Sequence, residues 1–266
     1  MNILVIGNSG TGCLLRGYRS LGNKFGKDLG NIMFAGVGNP VLERWRLIDS
    51  TVYRVSDPTT SDSSPFSIQD FDLIIIAAGY CVCDPRLLYK EHISLHSEAV
   101  LEEIVRCGED HLFQFSKHSQ VIKSLLDDDQ CSNNVILIGS PHPSAAVYED
   151  FLNKVPAKKM AGSLRGFYSS LDSGSIECLA DIHRKNRACV ESICISLSIS
   201  NPRVKYYILP RVLLDETLMF TKKEYMKPDK LHGNDNYGRF VMDDLLTTFL
   251  YGCFLLDISQ VLFLYR

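Results

Sequence analysis

Short, continuous apolar runs bounded by turn-forming residues recur along the chain. They cover residues 2–7, 31–38, 72–79, 134–141 and 205–212. Because these runs do not alternate with polar residues, they predict strands that are buried on both faces. Apolar residues at spacings of three and four predict helices over 84–107, 120–128 and 236–252. Strands that alternate with helices indicate a parallel sheet with helices packed on both faces.

The pattern therefore predicts an α/β fold, a three-layer α/β/α sandwich whose mainly parallel sheet has about five strands. Residues 56–67 form a polar loop rich in Ser, Thr and Pro ahead of the third strand. Residues 156–201 have mixed periodicity, which favours an inserted cap segment over a separate domain. We expect a single domain over 1–266.

Composition and charge narrow the class of protein. With 45% hydrophobic and 22% charged residues, the chain is typical of a globular protein. A formal net charge of −3 provides no basic field, so nucleic-acid binding is not expected. The nine cysteines are an odd number, and most lie in apolar runs. Free thiols of this kind favour the reducing cytoplasm over a disulfide-bonded extracellular protein.

Neither end of the chain predicts a membrane span. The apolar run after Met1 is too short for a signal peptide and lacks a basic leader. The strongly apolar segment 249–266 is interrupted by Asp257 and Gln260 and is short for a bilayer. We interpret it as a final core element, with a membrane-surface contact or a contact between copies in a homo-oligomer as the alternatives.

The stretch ILVIGNSGTGCLLRG, residues 3–17, combines a strand, a turn and the start of a helix. Gly7 and Gly12 have the spacing of a phosphate-binding loop, but Cys13 stands where that loop needs lysine. Gly7, Gly10 and Gly12 also match a dinucleotide-binding turn, although no charged residue follows the second strand to bind a ribose. The third hypothesis makes Ser9 a nucleophile, for which a base is needed. As an N-cap, Ser9 would have no catalytic role.

The segment PDKLHGNDNYG, residues 228–238, supplies a candidate base. Asp229 and His232 form a D-x-x-H pair just before the last predicted helix. This spacing allows the carboxylate to accept a hydrogen bond from one imidazole nitrogen, leaving the other to face a nucleophile. A surface turn with an incidental histidine is the alternative.

Taken together, VIGNS at 5–9 and DKLHGNDNYG at 229–238 resemble the SGNH (GDSL-like) hydrolase superfamily. The run from His232 to Gly238 is also similar to the His-x-Asn-x-x-Tyr-Gly stretch of members associated with bacterial surface polysaccharides. The resemblance implies that Ser9 is the nucleophile, His232 the base and Asp229 its orienting partner. It covers the core of the chain without residues 156–201.

The resemblance also implies where an oxyanion would be bound. A glycine after the second strand donates a backbone N–H in this family, and Gly38 fits that place, with Gly36 close behind. The third family block carries an asparagine two residues after a glycine, whereas here Gly79 is followed by Tyr80 and Cys81. This departure is compatible with two interpretations. In the first, Asn8 or Asn39 replaces the missing oxyanion donor; in the second, the protein is a slow or inactive enzyme.

The implied activity is that of a serine esterase or O-acyltransferase acting on short acyl esters, such as O-acetyl groups of a saccharide. No metal or organic cofactor is implied. Two alternatives stay open: an inactive SGNH-like protein that binds a glycan or a partner protein, and an NAD(P)-dependent reductase. Arg16 and Arg19 on the first helix are interpreted as surface charge, with contact to an anionic substrate as the alternative. His142 after the fourth strand is likewise a possible substrate contact or an ordinary loop residue.

Overall fold

The structure is a computed structural model of the chain. It describes most of the central sheet, two α-helices and the segments that join the sheet to the second helix. The ranges described are 1–7, 10–35, 45–48, 51–54, 66–80, 134–139, 202–215, 220–230 and 232–251, with single positions or short pairs at 141, 144–146, 149, 153 and 199.

Five strands form an entirely parallel sheet, which confirms the α/β prediction. In chain order they are β1 (Asn2–Gly7), β2 (Asn31–Ala35), β6 (Leu73–Tyr80), β7 (Asn134–Gly139) and β8 (Val204–Tyr207). Their order across the sheet is β2-β1-β6-β7-β8, so β1, β6 and β7 are the inner strands. Each of the five lies within or overlaps an apolar run that predicted a strand.

Both faces of the sheet are buried. Ile3, Val5 and Ile75 belong to a core cluster that also contains side chains of both helices. The alternate residues of the same strands, such as Leu4 and Ile74, are equally buried but lie outside that cluster. This explains why the runs are continuously apolar, because a strand covered on both sides has no solvent-facing position to fill with a polar residue.

Two α-helices pack on one face of the sheet. Helix α1 (Gly10–Ser20) follows β1, and α2 (Asp235–Tyr251) is the last described element. The buried side of α2 is a stripe at helical spacing, formed by Tyr237, Gly238, Val241, Met242, Leu245 and Leu246. The sequence predicted this helix to within one residue at each end.

A second, antiparallel sheet of three strands was not predicted. Its strands are β3 (Trp45–Ile48), β4 (Thr51–Arg54) and β5 (Phe66–Ser67). Only two residues separate β3 from β4, which is typical of a hairpin. These strands have four residues or fewer, so they contain too few positions for a periodicity to be recognised. β5 also occupies the end of the stretch that was predicted to be a polar loop.

Several predicted segments lie outside the described residues. They are the helices over 84–107 and 120–128, all but one residue of the cap segment 156–201, and the apolar segment from 252 onward.

Candidate functional site

Asp229 and His232 are in the contact that the D-x-x-H spacing predicts. Asp229 Oδ2 lies 2.8 Å from His232 Nδ1, and Asp229 Oδ1 accepts a hydrogen bond of 3.0 Å from the backbone N–H of His232. The two oxygens thus hold both the ring and the backbone of one histidine. When Nδ1 of the neutral ring donates to the carboxylate, Nε2 is the ring's acceptor. The two side chains are 47% and 44% exposed, so the pair is open to a substrate.

A compact turn sets this geometry. Lys230 N–H donates to the Lys227 carbonyl at 2.9 Å, and Lys227 N–H donates to the His232 carbonyl at 2.8 Å. Pro228 occupies the second position of the turn, where its fixed φ is favourable. Lys230 has a φ of 64°, a left-handed conformation that is uncommon for a residue other than glycine. This reversal returns the chain so that His232 faces back to Asp229.

The turn is attached to the carboxyl edge of the parallel sheet. Ser144, five residues after the end of β7, is buried, and its N–H donates to the Lys230 carbonyl at 2.9 Å. Ala145 N–H donates to the Thr221 carbonyl at 3.0 Å, so both the turn and the segment that precedes it are held. Ligands of open parallel sheets bind at this edge, beyond the carboxyl ends of the strands.

Asn234 joins the turn to α2. Its side-chain oxygen accepts hydrogen bonds from the N–H groups of Asn236 and Tyr237 at 3.0 and 3.1 Å, which is an N-cap interaction. Its amide nitrogen donates to the carbonyls of Glu224 and Met226 at 2.8 and 3.2 Å. One side chain therefore starts the helix and fixes the segment before the turn.

The two helices bring the ends of the chain together. Arg16 Nε lies 2.6 Å from Asp235 Oδ1, and Tyr251, at the other end of α2, donates to Asp28, beyond α1, at 2.6 Å. Along the segment from Arg16 to Asp28, later positions thus meet later positions of α2, so this segment and α2 run in the same direction. The first turn of α1 consequently lies on the same side of the molecule as the turn that holds His232.

Close backbone contact makes this arrangement possible. A Cβ added to Gly238 would overlap the carbonyl group of Cys13, and one added to Gly17 would overlap the backbone of Gly238 and Arg239. Glycine is therefore required where the helices cross, because any side chain would separate them. In the motif His-x-Asn-x-x-Tyr-Gly, the asparagine caps the helix and the glycine allows it to approach α1.

Three polar groups are buried around the first turn of α1. Burial raises the pKa of the Cys13 thiol from 9.0 to about 11, with Lys227 and Arg16 opposing the rise. Cys13 Sγ donates to the Gly10 carbonyl at 3.0 Å. The hydroxyls of Thr11 and Tyr237 are buried without a hydrogen-bond partner among the described residues. Thr11 Oγ1 lies beside Gly7 at the carboxyl end of β1, where an added Cβ would be 2.7 Å from it.

Other predicted site residues are placed only in part. Ser9, Asn8, Gly36, Gly38, Asn39 and His142 lie outside the described residues, although the neighbours of Ser9 at Gly7 and Gly10 end β1 and begin α1. Gly79 is in β6, within the interval between Ile76 and Tyr80 where the pairing with β7 shifts register. Arg16 binds Asp235, so its charge is largely compensated.

The sequence analysis identified the run 232–238 but assigned no role to most of its residues. The signal for Asn234 was available, because Asn directly before an apolar helical pattern is an N-cap signature. Ser144 and Lys230 had no such signal, since their roles depend on contacts between distant segments and on a left-handed backbone.

No group of three His, Cys, Asp or Glu side chains in the described ranges is arranged to hold a metal ion. Neither described α-helix is long and apolar enough to cross a membrane. Comparison with known protein families finds no family model that matches the chain, and comparison with curated proteins finds no significant match.

Proposed function

We propose that the chain is an SGNH-type serine esterase or O-acyltransferase that acts on short acyl esters, such as O-acetyl groups of a saccharide. The observation that carries this proposal is the Asp229–His232 pair. A carboxylate holds one imidazole nitrogen at 2.8 Å, at the carboxyl edge of a parallel sheet and on the side where α1 begins. Ser9 directly precedes Gly10, the first residue of that helix.

In the proposed mechanism, Ser9 Oγ attacks the ester carbonyl while His232 Nε2 takes the hydroxyl proton. Asp229 keeps the ring in the required tautomer and stabilises the imidazolium. The tetrahedral intermediate then expels the alcohol, which receives the proton from Nε2. Water or an acceptor hydroxyl attacks the acyl-enzyme, giving its proton to Nε2, and Ser9 is released with its proton restored.

Backbone N–H groups supply the oxyanion site in this proposal, with Gly38, Gly36, Gly79, Asn8 and Asn39 as the candidates. The register shift in β6 around Gly79 favours its participation, because such irregularities free backbone groups from regular pairing. The free buried thiol of Cys13 is consistent with a cytoplasmic location, which we include in the proposal.

A non-catalytic glycan- or protein-binding role is the second candidate. The observation that favours it is Tyr80 and Cys81 after Gly79, where the family carries an oxyanion-binding asparagine. Loss of one such donor typically costs about two to three orders of magnitude in rate. The alternative of an NAD(P)-dependent reductase is weaker. The dinucleotide-binding motif uses a glycine for close packing of helix and strand, whereas a Cβ added to Gly12 here would meet only the Arg16 side chain, at 3.5 Å.

A fluorophosphonate probe that labels activated serines tests the proposal. We expect labelling of the native chain, loss of labelling in Ser9→Ala, and strong reduction in His232→Ala. Ser20→Ala is the matched control, since Ser20 ends the same helix and its hydroxyl bonds the Gly17 carbonyl. Equal labelling of Ser9→Ala and the native chain contradicts the nucleophile assignment, and no labelling of a folded native chain supports the binding role.

A further inference from the structure

Lys227 is positioned beside the candidate base. Its backbone N–H donates to the His232 carbonyl at 2.8 Å, and the neighbouring residues Met226 and Gly233 form an antiparallel bridge. Lys227 is therefore fixed across a two-stranded pairing from the histidine. Its side chain is half-buried, so it does not extend freely into solvent.

Lys227 lies on the side of the molecule where α1 begins. The first turns of α1 and α2 are in backbone contact at Cys13 and Gly238, and the backbone of Lys227 is bonded to His232, three residues before α2. In keeping with this position, Lys227 has the largest effect, ahead of Arg16, among the charges that oppose the burial-driven rise in the pKa of the Cys13 thiol. The Lys227 segment is therefore close both to that turn and to the His232 segment. This is the place where the proposed reaction needs its substrate.

The Lys227 side chain has no acidic partner in the described part of the chain. The nearby carboxylates have other partners, because Asp229 holds His232 and Asp235 binds Arg16. Lys223, four residues before Lys227, illustrates the usual arrangement in which a surface lysine pairs with an acid, here Glu149. A half-buried cation without a counter-ion is unfavourable on its own and is a common feature of sites that bind an anion.

A second polar group nearby is also unsatisfied. The Thr11 hydroxyl, in the same first turn of α1, is fully buried without a hydrogen-bond partner among the described residues. Buried hydroxyls are normally hydrogen-bonded, so this one departs from the usual pattern, beside Gly7 at the carboxyl end of β1. The positive end of α1 adds to the attraction that Lys227 exerts on a negative group.

We propose that the substrate carries an anionic group, a carboxylate or a phosphate, close to the scissile ester, and that Lys227 binds that group. This inference rests on the proposed esterase function and specifies its substrate class. Lys227 acts on substrate binding and orientation, whereas His232 performs the proton transfer. Arg16 contributes less than Lys227 to the binding of the anionic group, because Asp235 compensates its charge.

Three aryl acetates test the inference: methyl 4-acetoxybenzoate, which is neutral, 4-acetoxybenzoate, which carries a carboxylate, and 4-acetoxyphenyl phosphate. The measured quantity is the ratio of kcat/KM for each anionic ester to that for the neutral ester. Comparing this ratio between the native chain and a variant cancels the intrinsic reactivities of the esters. The two anionic esters distinguish a carboxylate-bearing from a phosphate-bearing substrate.

In Lys227→Met we expect the ratio to fall about tenfold for the preferred anion, the size of one lost charge-assisted contact. The fall should result mainly from a higher KM for the anionic ester. In about 0.5 M salt, the preference of the native chain for the anionic ester should decrease, because salt screens the charge of Lys227. Lys222→Met is the matched control, since Lys222 is a half-buried lysine of the same segment whose backbone N–H bonds Leu213 instead. A ratio that is unchanged in Lys227→Met, or reduced equally in Lys222→Met, overturns the inference.

A binding measurement separates this inference from the proposed function. If the native chain hydrolyses none of the esters, the esterase proposal fails. Calorimetric titration with glucuronate, glucose 6-phosphate and glucose then decides about the anion site. Tighter binding of one anionic sugar than of glucose, lost in Lys227→Met and kept in Lys222→Met, supports the site. Equal or absent binding of all three sugars contradicts it.

Discussion

Asp229 shows how one side chain can set both the backbone and the chemistry of a site. Its Oδ1 accepts from the His232 N–H and its Oδ2 from the imidazole, at 3.0 and 2.8 Å. The hydrogen bond from the His232 N–H would be kept by any substitution that leaves an oxygen atom at the position of Oδ1. The contact with the imidazole depends on Oδ2 being an acceptor, because this contact determines which ring nitrogen carries the proton.

Asp229→Asn separates these two roles. The amide oxygen can still accept from the backbone, but its nitrogen is a donor and places the ring proton on Nε2. Histidine in that tautomer cannot take a proton from a nucleophile, so kcat/KM for 4-nitrophenyl acetate should fall by about three to four orders of magnitude. Thermal unfolding should change little, since the turn is retained. An unchanged rate would exclude Asp229 from the mechanism.

Tyr237 differs from Asp229 because its polar group has no identified use. Burial raises the pKa of its hydroxyl well above the ordinary value, and no partner for the hydroxyl lies in the described segments. Removing an unpaired buried hydroxyl avoids its desolvation cost, so Tyr237→Phe should be neutral or stabilise the fold by about 1 kcal/mol. Urea unfolding measures the change, with Tyr18→Phe as a partly exposed control. A loss of stability would show that the hydroxyl has a partner beyond those segments.

At the scale of elements, the crossing of α1 and α2 determines whether the site can form. Gly17 and Gly238 let the two backbones touch, and α2 then directs its first turn to the beginning of α1. Ion pairs between Arg16 and Asp235, and between Lys24 and Asp243, lie along the same contact. These pairs are exposed and contribute little energy, so the close packing of the helices carries the stability.

Two alanine substitutions on α1 test this packing. In Gly17→Ala the new methyl group overlaps the backbone of α2, and we expect a loss of about 2–3 kcal/mol in unfolding free energy. Gly12→Ala is the matched control, because its Cβ meets only the end of the Arg16 side chain at 3.5 Å. Better helix propensity should make Gly12→Ala neutral or stabilising by up to about 1 kcal/mol. Equal effects of the two substitutions would contradict the observed crossing.

For the molecule as a whole, the first strand and helix depend on the last helix. Val5 of β1, Leu14 of α1 and Val241 of α2 share one buried cluster. The first and last described elements therefore complete a single core, and global unfolding exposes the groups buried at their contact. Cys13 is one of these groups.

The raised pKa of Cys13 predicts a loss of stability at high pH. The unfolded thiol ionises near its ordinary pKa of 9.0, whereas the folded thiol stays protonated to about 11. The unfolded state therefore binds fewer protons between these values, and stability falls with rising pH by about 1.4 kcal/mol for each unit. Chemical denaturation of the native chain and Cys13→Ala from pH 8 to 10.5 should show the steeper decline in the native chain. Parallel declines would contradict the burial of the thiol.

Sequence predicted the parts of the fold that depend on local pattern. The five parallel strands were recognisable because each is a continuous apolar run, and α2 because its apolar residues recur at helical spacing. The D-x-x-H contact was predictable because a spacing of three residues in a turn can place both side chains on the same side of the chain. The antiparallel hairpin of β3 and β4 was missed because four-residue strands have no clear periodicity. The attachment of Lys230 to Ser144 and the backbone contact of Cys13 with Gly238 were hidden, since they depend on segments far apart in the chain.

The parallel crossing of α1 and α2 also has a consequence for protein synthesis. Translation produces β1 and α1 before their covering helix and the imidazole. A nascent chain that stops before His232 contains the proposed nucleophile without its base and leaves the apolar side of α1 uncovered. The proposed hydrolase activity is therefore gained only after His232 and α2 have been synthesised, and products terminated before that point are inactive and prone to aggregate.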